Sequence, residues 1–292
     1  MERLRGLPAH LATHVKGQDQ ALSRIASVLT RGEIGLANPR RPRGSFLLVG
    51  PTGVGKTETT NVFTEYLFGT KPIRFDMSEY QLQKSVDRLL GEDAGDSGLL
   101  GRALRGVNRG TLLFDEVEKA HPLVLDLFLQ ILEDARITLA TGETLDLHGF
   151  YIVCTSNIGS SETMRMESAP FASVERTVLM RVREHLRPEL VGRVNEIVVF
   201  SRLDYATQRS ICEQMVAVEI TRLASFGHYL EVAPDALEFL VRTGHSRLFG
   251  VRPLRGTIER YIHHAVATSL LVGRGSSGCV IASPDGTGLL LK

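Results

Sequence analysis

Apolar residues in this chain fall into two kinds of run. Ser45–Val49, Thr111–Phe114, Phe150–Thr155 and Ile197–Phe200 are continuous, strand-length and rich in β-branched and aromatic side chains. A weaker run, Pro72–Phe75, ends at Asp76. Helical periodicity fills most of the gaps, as in Lys56–Phe68 and in Pro122–Ala135, which opens on a proline whose missing N–H costs nothing in a first turn. Strands that are apolar throughout and alternate with helices belong to a parallel sheet covered on both faces.

Beyond Phe200 the pattern changes. Asp204–Ser225, Pro234–Thr243 and Pro253–Leu271 read as helices, the last with Leu254, Ile258, Tyr261, Ile262 and Ala265 on one face. Short extended pieces follow, Cys279–Ala282 and Leu289–Leu291, around Pro284-Asp285-Gly286. The expected architecture is α/β: a large domain over 1–200 with a five-stranded parallel sheet between helices, then a small, mainly helical domain over 201–292 with a short β element. Gly32–Arg43 reads as a connector ahead of the first core strand.

Composition narrows the function. The chain has 292 residues, 43% hydrophobic and 23% charged, which is globular rather than disordered. Its 34 basic residues nearly balance 33 acidic ones, so no strongly basic surface for nucleic acid or an anionic membrane is expected. No apolar stretch behind Met1-Glu2-Arg3-Leu4-Arg5-Gly6 has signal-peptide length, and none approaches the ~18 residues of a membrane span. Cys154, Cys212 and Cys279 are too dispersed for a metal or disulfide framework, and Cys154 reads as a small buried hydrophobe. The expected location is the cytoplasm. His263-His264 project from different sides of a helix and lack a nearby acidic partner in the sequence, so they read as helix surface rather than a metal pair.

The sharpest chemistry lies at Gly50-Pro51-Thr52-Gly53-Val54-Gly55-Lys56-Thr57, which follows a strand and opens a helix. In such a loop glycines turn backbone N–H groups toward phosphates, Lys56 reaches the β/γ oxygens and Thr57 offers its hydroxyl to Mg²⁺. The start of the helix adds its positive end to the anion site. Thr111–Phe114 then delivers two carboxylates, Asp115 and Glu116. In this context Asp115 is assigned to the metal, through water, and Glu116 to polarising the attacking water. ATP and Mg²⁺ are the expected ligands.

Phe114-Asp115-Glu116-Val117-Glu118-Lys119-Ala120-His121-Pro122 resembles the Walker B segment of the Clp-type AAA+ ATPases, in particular the second ATPase module of ClpB and ClpA. The similarity runs over nearly the whole chain, through Val15-Lys16-Gly17-Gln18, Arg41–Phe46, Asp76–Tyr80, Thr155–Gly159, Arg187–Arg193 and Gly250–Leu254. The resemblance implies an AAA+ P-loop fold with a C-terminal lid. It also implies that Asn157 is a sensor for the γ-phosphate, that Arg193 is an arginine finger reaching a neighbouring subunit and that Arg252 is a second sensor in the small domain. Val15 and Lys16 would lie near the adenine. Planar guanidinium groups suit the charge spread over a transferred phosphoryl. A hexameric homo-oligomer acting on a protein partner follows from the same likeness.

Three departures stand out. Leu90–Gly101 contains no aromatic residue where the family carries a pore loop that grips polypeptide, and it is shorter. Lys16 replaces a usual apolar residue beside the adenine. The sequence also reads as a standalone module, without the N-terminal domain and first ATPase module of ClpB and ClpA. Arg136–Leu147, with its turn at Thr141–Thr144, matches the family's hairpin. The leading expectation is an ATPase that remodels or disassembles a protein partner. The alternatives are an ATP-controlled scaffold that does not thread polypeptide and, less favoured, a nucleic-acid-associated loader.

Overall fold

The computed structural model describes residues 1–246 and 249–292. Two compact units emerge, Met1–Pro51 with Gly55–Ser201, and Thr52–Val54 with Arg202–Lys292.

In the first unit α1 (Glu2–His14) and α2 (Asp19–Glu33) precede β1 (Gly44–Val49). The loop after β1 enters α3 (Lys56–Phe68), and β2 (Ile73–Asp76), α4 (Ser85–Leu90) and α5 (Gly98–Leu104) follow. Next come β3 (Gly110–Asp115), α6 (Pro122–Asp134), the hairpin strands β4 (Arg136–Thr138) and β5 (Thr144–Asp146), and β6 (Phe150–Ser156). The unit closes with α7 (Ser160–Arg165), α8 (Phe171–His185), α9 (Pro188–Arg193) and β7 (Glu196–Val199). The five strands expected from the apolar runs form one sheet in the order β2-β3-β6-β1-β7, all parallel.

Every residue of β1, β3 and β6 is buried, which explains why their sequences are apolar throughout rather than alternating. On one face Phe114 meets Phe128 of α6 at 4.5 Å and Phe75 of β2 at 5.7 Å between ring centroids. On the other, Phe46, Phe63 and Tyr151 pack together. The expected connector at 32–43 begins later than its composition suggests. Gly32 and Glu33 complete α2, because Glu33 Oε1 accepts from Tyr151 Oη at 3.0 Å and from Arg43 at 2.8 Å, holding the last turn against the sheet.

The second unit contains α10 (Tyr205–Ala224), β8 (Leu230–Val232), α11 (Pro234–Gly244), α12 (Leu254–Leu271), β9 (Gly278–Ala282) and β10 (Leu289–Leu291). Its sheet has three strands in the order β10-β9-β8, the first pair antiparallel and the second parallel. The expected face of α12 is buried at Leu254, Ile258, Ile262 and Ala265, while Tyr261 is half-buried with its ring edge-on to Phe239. β8, three residues long, has no counterpart among the expected elements.

His263 is exposed on α12, as expected, and it has a partner: its Nε2 lies 2.6 Å from Glu219 Oε1 on α10, and Arg222 binds the same carboxylate. That acid is distant in sequence and arrives by packing of α10 on α12. Among the described residues no group of three or more His, Cys, Asp or Glu is placed to hold a metal, and no helix is long and apolar enough to cross a membrane.

Candidate active site

The site gathers at the C-terminal ends of β1, β3 and β6, where an open parallel sheet presents its ligand-binding edge. β1 leads into the loop, and glycine is required at both ends of it. A Cβ on Gly50, at φ 145°, would stand 2.8 Å from the Phe200 carbonyl oxygen. Gly55 caps α3 in the left-handed region at φ 104°, and a Cβ there would press on Val15 Cγ1 at 3.3 Å. Val15 is therefore buried against the start of α3. Lys16 behaves differently: its Nζ turns back to Ala12 O at 3.2 Å, at the end of α1. Gln18 locks this entry segment by exchanging two hydrogen bonds with the Ser201 backbone, both 2.9 Å.

Lys56 is 7% exposed. Its ammonium donates to Gly50 O at 2.6 Å, Pro51 O at 2.8 Å and Asn157 Oδ1 at 3.0 Å. Burial pushes its pKa down from 10.5 to about 8, against the opposing pull of Glu118, Asp115 and Glu116. Thr57 Oγ1 donates to Asp115 Oδ2 at 3.5 Å.

Asp115 ends β3 at 8% exposure, with both oxygens occupied. Thr155 donates its hydroxyl to Oδ1, and Arg74 Nη2 lies 2.7 Å from Oδ2. Glu116 leaves the strand in the left-handed region, at φ 58°, one of two described non-glycine residues with positive φ. That conformation costs roughly 1–2 kcal/mol and is held by the Glu116 N–H donating to Thr155 Oγ1 at 3.1 Å. The turn aims the carboxylate at β6. Oε1 accepts from Asn157 Nδ2 at 3.0 Å, and Oε2 meets Lys119 Nζ at 2.5 Å.

Asn157 is the centre of the cluster. Its side chain bridges Lys56 and Glu116, and its backbone N–H donates to Glu118 Oε1 at 3.0 Å. The remaining Glu118 oxygen, Oε2, is buried with no hydrogen-bond partner. Lys56, Thr57, Asp115, Glu116 and Asn157, singled out in three separate sequence segments, thus form one connected network. Arg193 is placed elsewhere in the first unit, in the last turn of α9, with Nη2 2.7 Å from Glu133 Oε2 on α6. Arg252 belongs to the second unit, exposed in the turn ahead of α12. Several contributors had no role in the sequence reading: Thr155, Glu118 and Lys119 lay in matched segments without an assigned task, and Arg74 was visible only as a charge within an otherwise apolar strand.

The family model for the AAA domain (Cdc48 subfamily) matches residues 41–197, and that for the C-terminal, D2-small domain of ClpB protein matches residues 203–282. The chain belongs to the Clp-type AAA+ ATPases. It is 39% identical over 279 residues to heat shock protein 100 of Trypanosoma brucei brucei, covering 92% of this chain and 32% of that protein. Chaperone protein ClpB 2 of Nostoc sp. is 37% identical over 289 residues, covering 96% and 33%. Chaperone protein ClpB of Aquifex aeolicus is 37% identical over 299 residues, covering 96% and 29%. The chain spans about a third of the length of these relatives. Membership in this family implies nucleotide binding.

Proposed function

We propose that the chain binds ATP with Mg²⁺ at this cluster and hydrolyses it, working as a ring-like homo-oligomer, a hexamer by family likeness, that remodels a protein partner in the cytoplasm. The observation that carries the reading is the Lys56–Asn157–Glu116 bridge, which sets a phosphate-binding cation and a water-activating base on one amide. The donor set suits magnesium: a hydroxyl and a carboxylate 3.5 Å apart are hard oxygen ligands, and Mg²⁺ takes one or two such groups plus phosphates rather than a protein cage. Thr57 and Asp115 would hold the ion, which would offset charge on the β- and γ-phosphates.

In the proposed reaction Lys56 donates to the β/γ oxygens, exchanging its loop carbonyls for phosphate. Glu116 accepts a proton from water as the water oxygen bonds to the γ-phosphorus. The bond from that phosphorus to the bridging oxygen breaks, and ADP leaves with the electron pair. Asn157 orients Glu116 and the γ-phosphate together. Arg193 would supply its guanidinium to a neighbour's nucleotide, and Arg252 would report the γ-phosphate to the second unit.

A second reading, nucleotide-controlled scaffolding without threading, has its own support. Glu92–Ser97 is closed on itself by Asp96, which accepts from the N–H groups of Glu92 and Gly98 and from Arg102, and by Asp93, which accepts from Gly95. Leu100, the nearest large apolar candidate for gripping a polypeptide along with Leu99, is buried in α5. The test is Glu116→Gln. The variant is expected to bind ATP as the parent does and to hydrolyse it at least about 100-fold more slowly. Turnover equal to the parent's removes the catalytic assignment. Partner release that needs only a non-hydrolysable ATP analogue favours scaffolding, whereas loss of partner structure only during turnover favours remodelling.

A further inference from the structure

The end of β3 carries a cation that the proposed reaction does not use. β2 and β3 pair in parallel with Asp76 opposite Asp115, so two carboxylates emerge side by side at the sheet edge. Arg74 stands two residues before Asp76 and therefore on the same face of β2. Its Nη2 lies 2.7 Å from Asp115 Oδ2 and 3.9 Å from Asp76 Oδ2. Asp115 Oδ2 is also the oxygen that faces the Thr57 hydroxyl. The other oxygen, Oδ1, is taken by Thr155. A metal ion held by Thr57 and, through water, by Asp115 would face the same oxygen that the guanidinium occupies.

We propose that Arg74 is a tethered counter-cation of Asp115 that competes with the divalent metal and so sets the magnesium concentration at which the site loads. The inference rests on the reading that this site takes a magnesium-bound nucleotide. The guanidinium has somewhere to go: Asp76 offers a second carboxylate within the swing of one side chain. Asp76 keeps its charge there, its carboxyl held below the ordinary range by hydrogen bonds from Ser78. The Arg74 side chain is 50% exposed and free on its solvent side to swing, while that of Asp115 is only 11% exposed and stays in place. A fully buried pair would block the metal rather than tune it.

The experiment is equilibrium binding of a fluorescent ADP analogue across a series of free Mg²⁺ concentrations. Arg74→Gln is expected to lower the half-saturating magnesium roughly three- to fivefold, the scale of one weak ion pair. Its melting temperature should fall relative to the parent in EDTA, with the gap closing in saturating Mg²⁺. A magnesium requirement equal to or above the parent's overturns the proposal. Asp76→Asn supplies an opposite-signed check and serves if Arg74→Gln fails to fold. With its second resting place neutralised the guanidinium stays on Asp115 and the magnesium requirement rises; no rise overturns the proposal as well. A parent protein whose nucleotide binding ignores magnesium would instead remove the magnesium-nucleotide reading itself, and this inference with it.

Discussion

Thr155 shows how one hydroxyl sets the geometry of two acids. It donates to Asp115 and accepts from the Glu116 backbone, so it holds a strained turn and orients a proposed metal ligand at once. Thr155→Val keeps the shape but leaves both partners short of a bond, and is expected to destabilise the protein by about 1–3 kcal/mol in chemical denaturation. ATP turnover should fall with it, while Thr155→Ser retains most of both. Lys56 makes a prediction about protons. Its folded pKa, about 8, lies below the unfolded value of 10.5, so the unfolded chain holds more protons between those limits. Through this group stability therefore rises with pH across that window. Phosphates bound to Lys56 should raise its pKa again, so nucleotide binding near pH 8.5–9 is expected to take up protons. Calorimetry in buffers of different ionisation enthalpy measures this directly, and Lys56→Met should abolish it. The site residues legible in the sequence were those whose spacing is local, such as Gly50–Thr57 and Asp115-Glu116. Thr155 and Arg74 act across strand pairings and had no such signature.

At the scale of elements, strands were easiest to read because burial on both faces makes them apolar without interruption. Asp204 is the N-cap of α10, and its carboxylate accepts from the Thr207 N–H at 2.7 Å. Hydrogen bonds from Thr207 hold the Asp204 carboxyl below the ordinary range. The charge-dependent part of the cap's contribution is therefore present above the unfolded pKa, about 3.9, and is lost as pH falls through the lower folded value. Asp204→Ala should cost about 1 kcal/mol at neutral pH and less once the carboxyl is protonated, as read from helical signal in urea. The last turn of α2 was hidden because Tyr151 and Arg43, which hold it, lie outside the segment.

At the scale of the molecule, the Arg193–Glu133 pair bears on assembly. Glu133 is 56% exposed, so the pair contributes at most about 1 kcal/mol and releases Arg193 at little cost. If Arg193 completes a neighbour's site, ATP turnover per subunit should rise with protein concentration in the parent and stay flat and low in Arg193→Ala. Nucleotide affinity should be equal in the two. Glu133→Gln should retain the rise. The sequence by itself determined the two-part architecture, the glycine-rich loop from Gly50 to Thr57 between β1 and α3, and the carboxylates at the end of β3. Each of these is written in hydrophobic period or in contiguous spacing, and both act locally along the chain. Only the tertiary structure decided what those groups touch: that Asn157 joins Lys56 to Glu116, that Thr155 braces both acids, that Arg74 sits on Asp115 and that Glu219 finds His263. The reason is physical. A parallel sheet places side by side residues dozens of positions apart, and hydrogen bonds and charges are governed by angstroms in space rather than by distance along the chain.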